Sequence, residues 1–149
     1  MNKVLGLRAL KYSTMEEKFR VIIAGGRDFN DFRLLCKVCM HMLQNKSNVE
    51  IVSGAANGAD KLGEKFAKFM GYEVKQFPAS WDELGKAAGH IRNRDMAEYG
   101  DALIAFWDGE SKGTKNMILE AEKRNLKVIV KDYKIETEED IANKEWWEK

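Results

Sequence analysis

Five short candidate strands, led by apolar runs, punctuate the chain, and between them hydrophobic residues recur at helical spacing. The first run is Val21-Ile22-Ile23-Ala24, largely β-branched, without polar alternation, and stopped by Gly25-Gly26. A segment apolar on both faces is what a strand buried inside a parallel sheet requires. Residues 50–53, 72–77, 102–107 and 127–130 supply four more candidate strands. After the first strand, Asn30 or Asp31 is placed to cap a helix. Its Phe32, Leu35, Cys36, Cys39, Met42 and Leu43 would face the sheet. A second helix follows Gly58, with Leu62, Phe66, Phe69 and Met70 on one side and Gly71 placed to end it. Pro78, the only proline, opens a longer loop through Ser80, Trp81, Gly85 and Gly89, which leads to a short helix at about residues 92–99. A turn at residues 109–113 starts a last helix that runs to about Asn125.

Strand and helix thus alternate along the chain. The pattern predicts an α/β fold, a Rossmann-like three-layer sandwich with a mainly parallel five-stranded sheet and right-handed crossovers. The chain divides into an N-terminal leader at residues 1–18, the Rossmann-like domain at 19–133, and a charged tail at 134–149, helical or frayed. Ile141, Trp146 and Trp147 are among the tail's apolar residues; they would serve an interface or fold back on the core.

A chain of 149 residues suits one such domain. The 25 basic and 24 acidic residues nearly cancel, which leaves no broad basic footprint for a nucleic-acid backbone. No apolar run approaches the ~20 residues that span a bilayer, and no signal-peptide pattern opens the chain. Two cysteines imply no disulfide framework, so a cytoplasmic location is expected. Cys36 and Cys39 have C-x-x-C spacing but fall inside a helix on its apolar face. With His41 and His90 the only histidines, neither a redox pair nor a metal site is expected.

In an open parallel sheet, ligands bind outside the carboxyl ends of the strands. Three glycine turns fall at such ends: Gly25-Gly26-Arg27-Asp28, Ser53-Gly54-Ala55-Ala56-Asn57-Gly58-Ala59-Asp60, and Asp108-Gly109-Glu110-Ser111-Lys112-Gly113-Thr114. Glycine lets backbone approach a ligand closely, and a helix N-terminus turns free amides toward an anion. None of the turns carries the dinucleotide fingerprint or the P-loop, so neither ordinary NAD binding nor Mg-ATP chemistry is indicated. Arg27, Arg92 and Arg94, with Asn93 between the last two, are candidate phosphate ligands, because a guanidinium fork matches phosphate. The alternative is that they are solvated or paired with Asp28, Asp95 or Asp101. Trp81 would stack on a base or simply pack. His90 is a candidate for proton transfer. Asp60 would take a ribose hydroxyl or serve its own helix N-terminus.

The runs from Val21 through Phe29, Ser53 through Asp60, Phe77-Pro78-Ala79-Ser80-Trp81, and Ala88 through Met96 resemble the YspA-like, cpYpsA-related branch of the SLOG superfamily. That superfamily joins the Lonely Guy phosphoribohydrolases to the DNA-processing Rossmann proteins. The resemblance spans about residues 20–131. It implies a Rossmann-like fold that recognises a nucleotide-derived ligand, such as an ADP-ribose-like molecule, a cyclic nucleotide or a nucleoside monophosphate. It also implies a homo-oligomer. No cofactor beyond that bound ligand is expected. In the Lonely Guy enzymes an arginine in R-K-x-x-M and a glutamate in P-G-G-x-G-T-x-x-E act on an N-glycosidic bond. Arg92-Asn93-Arg94-Asp95-Met96 is similar to the first motif, which makes Arg92 the catalytic counterpart in a hydrolase. Gly113-Thr114-Lys115-Asn116-Met117 keeps the G-T of the second but puts Met117 at the glutamate position. Methionine neither stabilises an oxocarbenium ion nor positions water. Glu110 or Glu120 would substitute only in a different local geometry.

The expectation is therefore a protein that binds, senses or sequesters its ligand. Phosphoribohydrolase-like cleavage is the alternative, and single-stranded nucleic-acid binding is a further one, disfavoured by the charge balance.

Overall fold

The computed structural model describes residues 17–134 and Ala142; the leader before residue 17 and the two tail tryptophans lie outside the described residues. Its elements are β1 (Phe19–Gly25), α1 (Phe32–Leu43), β2 (Val49–Ser53), α2 (Ala59–Met70), β3 (Glu73–Gln76), α3 (Trp81–Leu84), a 3-10 turn (Gly85–Ala87), α4 (Ala88–Tyr99), β4 (Ala102–Trp107), α5 (Lys112–Lys123) and β5 (Lys127–Asp132). The strands form one sheet in the order β3-β2-β1-β4-β5. Every pairing is parallel, with Val21 beside Ile51 on one side and beside Ala102 on the other.

The continuous apolar runs make sense in this sheet because both faces are covered. On one face Val21, Ile23, Ile51, Ile104 and Phe106 pack under Leu35, Cys39 and Leu43 of α1 and Phe66 and Ala67 of α2. On the other, Ile22, Ala24, Val52, Leu103 and Ala105 meet Met96 and Ala97 of α4 and Met117, Ile118 and Ala121 of α5. Alternate residues of β1, β2 and β4 thus serve opposite cores, while β3 and β5 form the edges. At the amino-terminal end of the sheet, Lys18 bridges the buried Glu50 and the exposed Glu73, and the Tyr99 hydroxyl also donates to Glu50.

Asp31, not Asn30, caps α1, accepting from the Leu34 amide at 3.0 Å. Two expectations need correction. Phe69 is 71 % exposed; the inner stripe of α2 runs instead through Ala59, Gly63, Phe66 and Ala67. Gly63 lies so close to the sheet that a Cβ there would stand 2.9 Å from Ile23 Cβ, so this helix packs through small residues and turns its last aromatic outward. The stretch after Pro78 is helical from Trp81 onward, broken by Gly85. His90 therefore lies within α4, exposed, and Arg92 and Arg94 are well inside that helix rather than near its start.

Candidate functional site

The chain leaves β1 in one direction to build β2 and β3, then returns to the other side of β1 as β4. The loops after β1 and β4 diverge at that reversal and leave a crevice at the carboxyl ends of the two strands. A cleft of about 440 Å³ occupies it, lined by Gly25, Gly26, Arg27, Asp28, Ala56, Asp108, Ser111, Gly113 and Thr114.

Backbone proximity makes this wall possible. A Cβ on Gly25 would stand far inside van der Waals contact distance of the Phe106 carbonyl oxygen, and Gly25 has φ +157°. Gly58 caps α2 at φ +79°, pressed against the Gly26 carbonyl, where a side chain has no room. The Gly26 carbonyl accepts from the Ala59 amide at 3.1 Å, which ties the β2–α2 turn to the β1 loop. On the opposite wall, Asp108 Oδ1 accepts from the amides of Glu110 at 2.9 Å and Ser111 at 2.7 Å. Those two amides hold the Asp108 carboxyl below its usual value. Ser111 caps α5, accepting from the Thr114 amide and hydroxyl. The start of α5 thus borders the cleft through Ser111, Gly113 and Thr114, with the Thr114 and Lys115 amides taken up by Ser111.

Arg27 stands exposed at the rim, and no hydrogen bond or salt bridge to a described residue holds it. Asp28 Oδ1 accepts from the Tyr133 hydroxyl at 2.7 Å. Burial and the neighbouring Asp28 carboxylate push the Tyr133 phenol well above its usual value, so it stays a donor.

The sequence pointed to seven of these lining residues: Gly25, Gly26, Arg27, Asp28, Asp108, Gly113 and Thr114. The rest of its candidates stand behind or away from the cleft. Ser53 is buried beneath the β2–α2 turn and donates to Glu64 Oε2 at 2.6 Å. Gly54 and Ala55 form the turn, and Asn57 is exposed on it. Asp60 is 5 % exposed, and its Oδ2 accepts from the Ala56 amide at 3.2 Å. Burial pushes its carboxyl up to about 6, against the pull of that amide and of the Arg92 and Arg27 guanidiniums. Arg92 Nη1 donates to the Gly54 carbonyl at 2.6 Å and its Nε to Asn93 Oδ1. Buried Asn93 donates in turn to the Gly113 carbonyl and to Asn116, fastening α4 to the start of α5. Arg94 is exposed and pairs with Asp95 and Glu98. Trp81 is 50 % exposed against Gly89, outside the cleft.

Ala56 and Ser111 fall within the glycine turns read from the sequence but are not singled out there as ligand residues, and Tyr133 is not named at all. Serine three residues before Thr114 is an N-cap signature that was there to be used. Nothing local marks Tyr133.

Met117 is 1 % exposed in the core beneath α5. Glu120 is bound by Arg124 and Lys123, and Glu110 is exposed and does not line the cleft. Cys36 is partly buried and Cys39 fully so, and burial raises both thiols above their usual values. Among the described residues no group of three His, Cys, Asp or Glu side chains is placed to hold a metal ion, and no helix is long and apolar enough to cross a membrane.

An all-parallel sheet with a polar, glycine-walled cleft at its strand reversal defines a Rossmann-like α/β protein. Residues 19–83 match the YspA, cpYpsA-related SLOG family. The Gene 61 protein of Mycobacterium phage D29 is 33 % identical over 117 residues, covering 74 % of this chain and 94 % of that relative. The chain belongs to the YspA, cpYpsA-related SLOG family. No solved structure matches it significantly.

Proposed function

We propose that the protein binds a nucleotide-derived ligand bearing both phosphate and sugar hydroxyls, and holds it without cleaving it. The observation that carries this reading is the cleft at the strand reversal, where glycine turns from β1 and β4 face each other with Arg27 at the rim. Its volume of about 440 Å³ falls within the ~300–1,000 Å³ usual for small-molecule sites. The first turn of α5 and the exposed Arg27 guanidinium suit the phosphate. Asp28 and Asp108 are acceptors only, and beside a phosphate they suit ribose hydroxyls rather than a second anion. ADP-ribose-like molecules, cyclic nucleotides and nucleoside monophosphates all fall within this class, and sensing or sequestration is the function of a site that only binds.

Cleavage of an N-glycosidic bond is less well supported. The glutamate position of the Lonely Guy enzymes is Met117, inside the core, and Glu120 is held in ion pairs. Asp108 lines the cleft with its carboxyl held below the usual range, which unsuits it for donating a proton near neutral pH.

A thermal-shift screen of ADP-ribose, cyclic nucleotides and nucleoside monophosphates tests the reading. A ligand at 100 times its Kd stabilises by about 2.7 kcal/mol. Arg27→Ala should weaken the best ligand roughly tenfold or more while lowering Tm only slightly, since an exposed charged contact is lost together with one of the counter-charges near Asp60. No stabilisation by any compound at millimolar concentration would overturn binding. Release of free base, followed by chromatography, would overturn the claim that the ligand survives.

A further inference from the structure

The β2–α2 turn reaches the cleft through Ala56, yet what shapes it lies behind it. Arg92, from α4, donates to the Gly54 carbonyl on one side of the turn. Asp60, from α2, accepts from the Ala56 amide on the other. Arg92 and Asp60 do not bond each other; they grip neighbouring residues of the same turn. Gly54 is caught between them: a Cβ there would lie 2.5 Å from Arg92 Nη1 and 2.7 Å from Asp60 Oδ2. Between the two grips Ala55 takes φ +60°, a conformation that a non-glycine residue adopts only where its surroundings impose it. Ser53 Oγ, itself anchored on Glu64, accepts from the Ala55 amide at 3.1 Å.

We propose that Arg92 and Asp60 are positioning residues that clamp the β2–α2 turn and set the Ala56 wall of the ligand cleft, with the charge of Asp60 keeping the clamp closed. The proposal rests on the binding reading above, and it gives Arg92 a different task from contact with a reacting bond. A buried carboxylate is a costly way to hold one amide, because desolvation opposes its charge. Its counter-charges face it from two other elements, Arg92 on α4 and Arg27 on the β1 loop, while Glu64 on α2 opposes ionisation. A charge-assisted bond is about twice as strong as a neutral one, so protonation slackens the grip on Ala56 without abolishing it. Burial sets that loss near pH 6.

Backbone amide exchange of Ala56, read by NMR on the full chain without ligand, tests the clamp. From about pH 7.5 down to about pH 5 the wild-type protection factor, corrected for intrinsic exchange, should fall roughly tenfold, in line with a weakened charge-assisted bond. Asp60→Asn should show the low value at every pH, with protection in β4 intact. Arg92→Gln should loosen the turn from the Gly54 side. A flat wild-type profile, or unchanged Ala56 protection in Asp60→Asn, would overturn the clamp whether or not any ligand binds.

Calorimetric titration with ADP-ribose supplies the second arm, since its pyrophosphate does not titrate between pH 5 and 8. Removing a negative charge behind the site should, by charge alone, tighten an anion. Weakening of ADP-ribose by several-fold in Asp60→Asn therefore reports the position of the turn; unchanged or tighter binding overturns its coupling to the cleft. Failure of ADP-ribose and every other screened nucleotide to bind the wild type overturns the coupling too, along with the functional reading, and leaves amide exchange to judge the clamp.

Discussion

The Tyr133 hydroxyl, one residue beyond β5, donates to Asp28 Oδ1 at 2.7 Å across 105 positions of sequence. The same ring packs against Phe29 with centroids 4.8 Å apart, and Phe29 stacks on Phe106. The end of the last strand is thereby joined to the first glycine loop, and the orientation of a cleft carboxylate depends on it. Tyr133→Phe keeps the ring contacts and removes one hydrogen bond to a solvated acceptor. Urea unfolding should register a loss of about 1 kcal/mol or less. Affinity for the best nucleotide should fall several-fold in calorimetry; an unaltered affinity would show that Asp28 needs no such support.

Gly25→Ala tests the floor of the cleft. The new methyl would press into the Phe106 carbonyl, between strands whose register is fixed along the whole β1–β4 pair. The cost should be roughly 2–4 kcal/mol, from backbone strain added to overlap. Gly113→Ala is the control: nothing lies within 4 Å of its Cβ position in the first turn of α5, so stability should rise by about 0.5–1 kcal/mol rather than fall.

Asp60 carries a pH signature in stability. Its folded carboxyl titrates at about 6, above the ordinary 3.8, so between those values the folded state holds more protons than the unfolded chain. Stability from this group is therefore greatest at low pH and declines as pH rises toward 6. Asp60→Asn should be more stable than the wild type at pH 7.5 by roughly 2–3 kcal/mol, because each tenfold change in proton affinity is worth about 1.4 kcal/mol. The gap should close near pH 4. Denaturant melts at the two pH values decide it, and a variant less stable at pH 7.5 would contradict the sign. A substitution that gains stability while loosening the cleft wall would identify Asp60 as a residue kept for its site rather than for the fold.

Met117→Glu asks whether the glutamate of the Lonely Guy enzymes can simply be restored. The side chain points into the core shared by Ile22, Leu103 and Met96, with no counter-charge among those residues. Destabilisation of roughly 4 kcal/mol or more is expected, because an unpaired carboxylate would replace a buried thioether. Chromatography should find no base released from nucleoside monophosphates. Base release by this variant would show that the cleft lacks only the carboxylate.

The strands were legible in the chain because burial on both faces writes an unbroken apolar run, as in residues 21–24 and 102–106. Glycine turns at strand ends marked seven residues of the cleft, since strand reversal and close backbone approach leave a local signature. The order of the strands and the partners of the charged residues left none. Arg92 and Arg94 look equivalent in sequence, yet they stand two positions apart on one helix and so face nearly opposite ways. One is drawn behind the β2–α2 turn and the other left in solvent with Asp95 and Glu98. Phe69 and Phe66 look alike in the same manner, and packing through Gly63 decided which of them is buried. Local sequence by itself marked the strands, most of the helices and the glycine turns where backbone segments approach each other, because those depend on residues a few positions apart. Only the folded chain decided that Asp60 and Arg92 stand behind the wall and that Tyr133 supports Asp28, because those contacts join segments many residues apart whose meeting the sheet order dictates.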